Sequence, residues 1–222
     1  MTAVDVRNTL DGMGSEQTRK TYLRHGVNPP LFGVKWGDMR KLAKSLGTDD
    51  ELATELWESG EHESRLIALM IADPDQASKR DLQRMAGQID NYVEIDEFAA
   101  FVAKTPHLDA LADKWTAAKG EWISACGWTL VAQQALRDND LTNPYFLERL
   151  SEIEAGIDSS PNRTRHTMNG TLIAIGSRNV TLRRRSEAVA RRIGAVEVDH
   201  GETACVTPDA IPYIDRIWAR RS

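Results

Sequence analysis

The chain has 222 residues, of which 41% are hydrophobic and 27% charged, and its formal net charge is −5. These fractions are close to the averages of globular proteins and exclude disordered and fibrous classes. No apolar run reaches the roughly 18 residues that a membrane-spanning helix needs. The N-terminal sequence from Met1 to Arg7 lacks the apolar core of a secretory signal. We therefore expect a single domain over residues 1–222 that makes no membrane contact and lies in the cytoplasm.

Positive charge is concentrated in the C-terminal part of the chain. From Pro161 onward, 11 Lys and Arg residues stand against 6 Asp and Glu residues, a local balance of +5, whereas the preceding residues carry −10. Phosphate contact needs local positive charge rather than a high pI, so a DNA-facing segment on an otherwise acidic protein produces this pattern. Solvated helix faces produce it as well, and charge alone leaves both interpretations open.

Helical periodicity dominates the sequence, and strand-like alternation is nearly absent. A capping-box pattern over residues 48–51 predicts a helix to Trp57, and the next apolar helix is predicted over residues 61–72. Ser78 is the predicted N-cap of the helix that follows. Further stops and starts are predicted at Thr105-Pro106, Gly120, Asp138–Asp140, Asn143-Pro144, Ser159–Pro161 and Thr207-Pro208.

The predicted helix stops and starts divide the chain into about 11 to 13 helices. We expect these helices to pair into hairpins at intervals of about 35–40 residues. The predicted pairs fall near residues 36–59, 61–89, 92–117, 121–158 and 163–195. This period is typical of an all-α solenoid of HEAT-like hairpins, in which each pair buries its apolar face on its neighbours. The inner helices of a curved solenoid form a concave surface that suits an elongated partner, although most solenoids bind proteins.

The two cysteines, Cys126 and Cys205, favour reduced thiols, and without a CxxC pair a structural zinc site is not expected. The segment from Asp199 to Cys205 does hold several potential metal ligands, which leaves zinc or redox chemistry open. The favoured interpretation is a tight turn that leads into a helix capped at Thr207-Pro208. We expect no metal and no cofactor.

Three stretches resemble the HEAT-like-repeat DNA alkylation repair family. Residues 31–44 carry Gly-Val followed by Arg-x-Leu-Ala-Lys, residues 56–65 carry Leu-Trp-x-Ser-x-x-His-Glu-x-Arg, and residues 198–210 resemble the tail of one branch. The resemblance spans nearly the whole chain. It implies a right-handed α-solenoid with a positive concave groove. It also implies a DNA glycosylase that releases positively charged N3- and N7-alkylpurines.

The resemblance further implies a site made of a Trp, an Asp four residues later, an Arg on the next repeat and a late Trp. Tyr92 stands where the first Trp is expected, and Asp96 matches the carboxylate. Because an alkylated purine is already cationic, a carboxylate that stabilises an oxocarbenium-like sugar and positions water suits the reaction. The alternative is that both are ordinary surface residues on one side of a helix.

Two positions depart from the family pattern. Ser124 and Ala125 stand where the family has arginines, which removes a bidentate phosphate contact. Asn169-Gly170 stands where an Asn-Trp pair is expected. Trp115, Trp122 and Trp128 can be explained by stacking on bases or, as we favour, by packing in the core.

Arginines of the C-terminal part are the candidate DNA contacts. The Gly-x-Arg-Asn turn at residues 176–179 resembles a family turn, and guanidinium groups beside free helix N-terminal amides suit phosphate. Arg191 and Arg192 are equally compatible with the outer face of their helix. The predicted DNA-binding residues are Arg163, Arg165, Arg178, Arg183 and Arg184.

Three functions remain open at this point. The first is an alkylpurine DNA glycosylase that acts on duplex DNA through Asp96 with Tyr92, as a monomer. The second is a glycosylase-like protein that binds DNA, distorted or branched, without excising bases. The third is a HEAT-like protein scaffold, which the acidic N-terminal two-thirds of the chain keeps open.

Overall fold

The structure is a computed structural model that describes residues 1–137 and 140–221. Within those residues all regular structure is helical, with thirteen α-helices, a 3-10 helix at Ile157–Ser159 and no strand. The predicted all-α class is thereby confirmed. Residues 138 and 139 of the predicted turn Asp138–Asp140 lie outside the described residues. No helix in the described ranges is long and apolar enough to cross a membrane.

The chain divides into two compact units, and the single domain predicted over residues 1–222 stays a prediction. The first unit consists of Met1–Pro106 with Gly201–Thr203. Its helices are α1 (Ala3–Met13), α2 (Glu16–Arg24), α3 (Trp36–Leu46), α4 (Asp50–Ser59), α5 (His62–Ile71), α6 (Lys79–Ala86) and α7 (Tyr92–Val102). The second consists of His107–His200 and the residues from Ala204 onward. Its helices are α8 (Leu108–Thr116), α9 (Glu121–Leu136), α10 (Asn143–Gly156), α11 (Asn162–Gly176), α12 (Val180–Ile193) and α13 (Ala210–Ala219).

Within each unit the helices pack in layers. In the first unit α3 packs on α5 and α5 on α7, while α4 closes a hairpin with α5. In the second unit α9 packs on α11 and α10 on α12, while α11 pairs with both α12 and α13. The helix bounds follow the predicted segments closely, because the 3.6-residue period and the Gly and Pro stops are local features of the sequence. The predicted pairing is mostly wrong, because among the described residues α4 packs on α5 and α8 on α9, and of the predicted pairs only α11 with α12 is a principal contact. Which helix packs on which depends on contacts that the local pattern does not contain.

One predicted cap is displaced by a tertiary contact. The capping box at residues 48–51 is wrong, because α4 begins at Asp50 with Asp49, not Thr48, as its N-cap. The Asp49 carboxylate accepts from the Leu52 amide at 3.0 Å, and the Asp49 amide donates to the Ile71 carbonyl oxygen of α5 at 2.9 Å. The predicted cap at Ser78 is confirmed.

Candidate functional site

The first two sequence motifs contact each other inside the first unit. Glu63 is fully buried, and its carboxylate accepts hydrogen bonds from the amides of Phe32 at 2.8 Å, Gly33 at 2.6 Å and Val34 at 3.0 Å. Gly33 has a φ of +83°, and a Cβ there would lie 2.6 Å from the Ser15 carbonyl oxygen, so only glycine fits. The motif residues thus fix the loop that leads into α3.

A neighbouring buried network fixes the start of α7. Glu94 Oε1 lies 3.0 Å from Nδ1 of His62, and Glu94 Oε2 accepts from Arg65 Nη1 at 3.2 Å. The Arg65 guanidinium also stands 5.3 Å from the centre of the Trp57 ring. His62 therefore links α5 to α7. Since Glu94 lies in the first turn of α7, the network holds the backbone that carries Tyr92.

Tyr92 and Asp96 lie on the partly exposed side of α7. Tyr92 is half-buried, and its hydroxyl contacts Nδ1 of His25, the C-cap residue of α2. Asp96, one turn later, is exposed. The adjacent stripe of the helix is fully buried and consists of Ile95, Phe98, Ala99 and Val102. His25 carries no motif signal, and sequence reasoning missed it.

The carboxyl group next to Asp96 titrates at a higher pH than an ordinary glutamate. Burial raises the pKa of Glu97, the charge of Asp96 raises it further, and Lys104 and Arg40 partly oppose the shift. Glu97 therefore retains its proton to a higher pH than an exposed glutamate does.

The two departures from the family pattern occupy different environments in the second unit. Ser124 and Ala125 are buried at 5% and 0% exposure, and Ser124 Oγ donates to the Thr116 carbonyl oxygen of α8 at 3.5 Å. Gly170 is exposed, with no atom within 4 Å of a Cβ built there. The preceding Asn169 is buried and donates to the Pro208 carbonyl oxygen at 2.9 Å.

Two of the four tryptophans of the second unit pack in its core. Trp115 is 1% exposed and Trp128 is 4% exposed, which confirms the packing interpretation for these two residues. Trp122, in the first turn of α9, is half-buried.

Two of the five predicted DNA-binding arginines bond to backbone carbonyl groups. Arg165 donates to the carbonyl oxygens of Glu197 at 3.0 Å and Ser160 at 3.2 Å. Arg178 donates to the carbonyl oxygen of Arg137 at 2.7 Å and to others at the C-terminal end of α9. A phosphate at either guanidinium would compete with these bonds, which hold loops and helix ends in place.

The remaining three arginines are divided between two helices. Arg183, on α12, is bonded to Glu187 at 2.9 Å and to Asp215 at 2.7 Å. Arg184, also on α12, is exposed and forms no ion pair with another described residue. Arg163 is half-buried on α11, the helix that packs on α9. The predicted residues therefore do not form one row on one helix.

The tail between α12 and α13 packs along α11. The Asn162 side chain and the Asp199 backbone exchange two hydrogen bonds of 2.7 and 2.8 Å. The predicted cap at Thr207-Pro208 is wrong. Thr207 Oγ1 instead lies within hydrogen-bond distance of Nε2 of His200, at 2.9 Å, and of Nδ1 of His166, at 3.2 Å. Asp209 caps α13 instead. In the described part of the chain, no three His, Cys, Asp or Glu side chains are placed to hold a metal ion.

His166 makes the stability of this tail contact depend on pH. Burial, then the charges of Arg163 and His200, lower its pKa from 6.5 to about 4. Between these values the unfolded chain binds the proton more tightly than the folded chain, so stability is lost as the pH falls from 6.5 to 4. We expect the urea midpoint to decrease across this window and the decrease to be smaller in His166→Gln. An identical pH profile in both proteins would contradict the assignment.

Comparison with known proteins identifies the family. Residues 6–214 match the model of the DNA alkylation repair enzyme family. The chain belongs to that family. An uncharacterized protein of Listeria innocua is 27% identical over 213 residues, and one of Listeria monocytogenes is 26% identical over 213 residues, each match covering 93% of both chains. The resemblance of the sequence motifs to this family is thereby confirmed.

A solved structure with 28% sequence identity superposes on this chain with a TM-score of 0.90. The superposition covers 100% of this chain and 95% of the other protein's chain. It is described as a new family of proteins related to the HEAT-like repeat DNA glycosylases with affinity for branched DNA structures. The likeness confirms the predicted HEAT-like repeat fold.

Proposed function

We propose that this member of the DNA alkylation repair enzyme family binds DNA and prefers branched DNA to a plain duplex, as a cytoplasmic monomer without a cofactor. The observation that carries the proposal is the likeness, over the full chain, to a protein with affinity for branched DNA structures. Duplex DNA remains a ligand in this proposal, since the arms of a branched molecule are duplexes.

Arg184 is proposed as a direct phosphate contact among the five predicted arginines. Its side chain is exposed and forms no ion pair with a described residue. Arg163, Arg165, Arg178 and Arg183 are proposed to add positive potential at long range. The guanidinium groups of the last three bond to other parts of the protein, and Arg163 is half-buried.

Binding to a four-way junction and to a linear duplex of the same arm sequence tests this function. We expect the junction to bind more tightly, and both affinities to fall as salt rises, because bound phosphates release counterions. Fluorescence anisotropy over a salt series gives both quantities. A flat response to salt would exclude phosphate contact and would favour a protein scaffold.

Excision of N3- and N7-alkylpurines is a second candidate, favoured by the exposed carboxylate of Asp96 one turn after Tyr92. Against it stand the buried Ser124 and Ala125 at the arginine positions and the glycine at position 170. Release of alkylated purine from methylated DNA, compared for the parent and Asp96→Asn, separates the two candidates. Release by the parent that Asp96→Asn abolishes would establish the glycosylase. No release above background would leave binding alone.

A further inference from the structure

Helix α3 in the first unit begins with a partly exposed tryptophan. Trp36 is the first residue of α3 and is 36% exposed. Its indole makes no hydrogen bond and no ring contact with any other described residue. The opposite side of α3 packs on α5 and is anchored by the buried Met39, Leu42 and Ala43. The partly exposed ring therefore lies on a helix that is anchored in the core of the first unit.

Cations follow Trp36 along the same side of the helix. Arg40 and Lys44 are exposed and lie at successive intervals of four residues, and the exposed Lys35 precedes the helix. None of the three forms an ion pair with a described residue, whereas Lys41 is bonded to Asp38 at 3.0 Å. An interval of four residues rises about 6 Å along a helix. Phosphates of one strand follow each other at about 3.4 Å along the axis of a DNA duplex, so two nucleotide steps cover a similar axial distance.

This row borders the carboxylates of α7. Burial raises the pKa of Glu97, and Arg40 on α3 is close enough to oppose that shift. Phosphates are repelled by the Asp96 and Glu97 side of this surface and attracted to the α3 side. Charge complementarity therefore places an anionic strand along α3, in the part of the chain whose overall charge is negative.

We propose that Trp36 stacks on a base exposed at a DNA branch point while Arg40 and Lys44 bind phosphates of the same strand. In a continuous duplex both faces of every interior base are covered by neighbouring bases. At a branch point stacking is interrupted, and an aromatic ring accepts any exposed base because every base has a π face. Trp36 is then the residue that distinguishes branched from continuous DNA. This inference rests on the proposed function and names its specificity-determining residue.

The test uses the full chain, a four-way junction with 2-aminopurine at the branch point, and a linear duplex of the same arm sequence. Trp36→Ala is expected to weaken junction binding about tenfold, the range that loss of one base–aromatic stack produces. Duplex binding is expected to stay within about twofold, since no base face is available there. Trp36→Phe should restore most of the junction affinity. The parent, but not Trp36→Ala, should quench 2-aminopurine on binding.

Charge variants provide the matched control. Arg40→Gln combined with Lys44→Gln should weaken binding to both DNA forms and lower the salt slope by about 2. Lys79→Gln combined with Arg80→Gln removes the same charge from exposed positions on α6 and should leave the junction preference and the quenching unchanged. Because the four charged side chains are exposed, both charge variants should have the same melting temperature as the parent.

The outcomes separate this inference from the function on which it rests. If the parent prefers the junction and Trp36→Ala weakens both DNA forms equally, or neither, the stacking role is overturned and the proposed function stands. Unchanged quenching in Trp36→Ala overturns it as well. If the parent binds neither DNA form, or Trp36, Arg40 and Lys44 bind only an acidic protein partner, both proposals are overturned.

Discussion

Gly127→Ala is expected to lower the free energy of unfolding by about 3 kcal/mol, at the upper end of what overpacking costs. A Cβ at this position in α9 would lie 2.4 Å from the Thr116 nitrogen and 2.5 Å from the Trp115 carbonyl carbon. Both are backbone atoms of α8, which cannot rotate away as a side chain would, so the two helices must move apart. Urea unfolding followed by circular dichroism measures the effect.

Gly170→Ala is the matched control on α11. A Cβ there meets no atom within 4 Å, and the residue is exposed. Because alanine favours a helix over glycine, this variant should be more stable than the parent by up to about 1 kcal/mol. If Gly127→Ala were as stable as Gly170→Ala, the close approach of α8 and α9 would be contradicted.

Glu63→Ala is expected to cost about 4 kcal/mol, because three amides lose their acceptor at once. The amides of Phe32, Gly33 and Val34 all donate to this buried carboxylate. For a chain of this size the loss corresponds to a decrease of roughly 10 °C in the melting temperature. Thermal unfolding gives the value, and amide hydrogen exchange at residues 32–34 reports on the loop itself.

Two variants control for this result. Glu55→Ala removes an exposed carboxylate from α4 and should change the stability by less than about 0.5 kcal/mol. Glu63→Gln retains one acceptor oxygen and should lie between the parent and Glu63→Ala. A melting temperature of Glu63→Ala equal to that of Glu55→Ala would show that the loop does not depend on this carboxylate.

The buried contacts of Glu63 also explain why the motifs identify the family better than the activity. His62, Glu63 and Arg65 form the most specific part of the second motif, and each bonds to another element of the first unit. The motif is therefore explained by contacts that stabilise the fold. Whether that fold excises a base depends on other positions, and there the sequence already showed serine, alanine and glycine in place of arginine and tryptophan.

Much of the site on α7 could be predicted because it depends on one helix. The four-residue spacing places Tyr92 and Asp96 on one side of a helix, and the structure leaves Asp96 exposed. The partner of Tyr92 could not be predicted, because His25 lies 67 residues earlier in the chain. The carbonyl partners of Arg165 and Arg178 are equally remote in sequence, so these arginines looked available for DNA.

The sequence alone was sufficient for the all-α class, the approximate helix bounds and the family resemblance, because capping residues, apolar spacing and sequence motifs are local properties. The tertiary structure decided which helices pack on each other. The tertiary structure was needed to show which charges are available to a partner. An arginine in a sequence carries the same charge whether it bonds to a carbonyl group, pairs with an aspartate or faces solvent. In the folded chain Arg165, Arg178 and Arg183 bond to other parts of the protein. Arg40 and Lys44 of α3 are exposed and form no ion pair with a described residue, although they lie in the part of the chain where the net charge is negative.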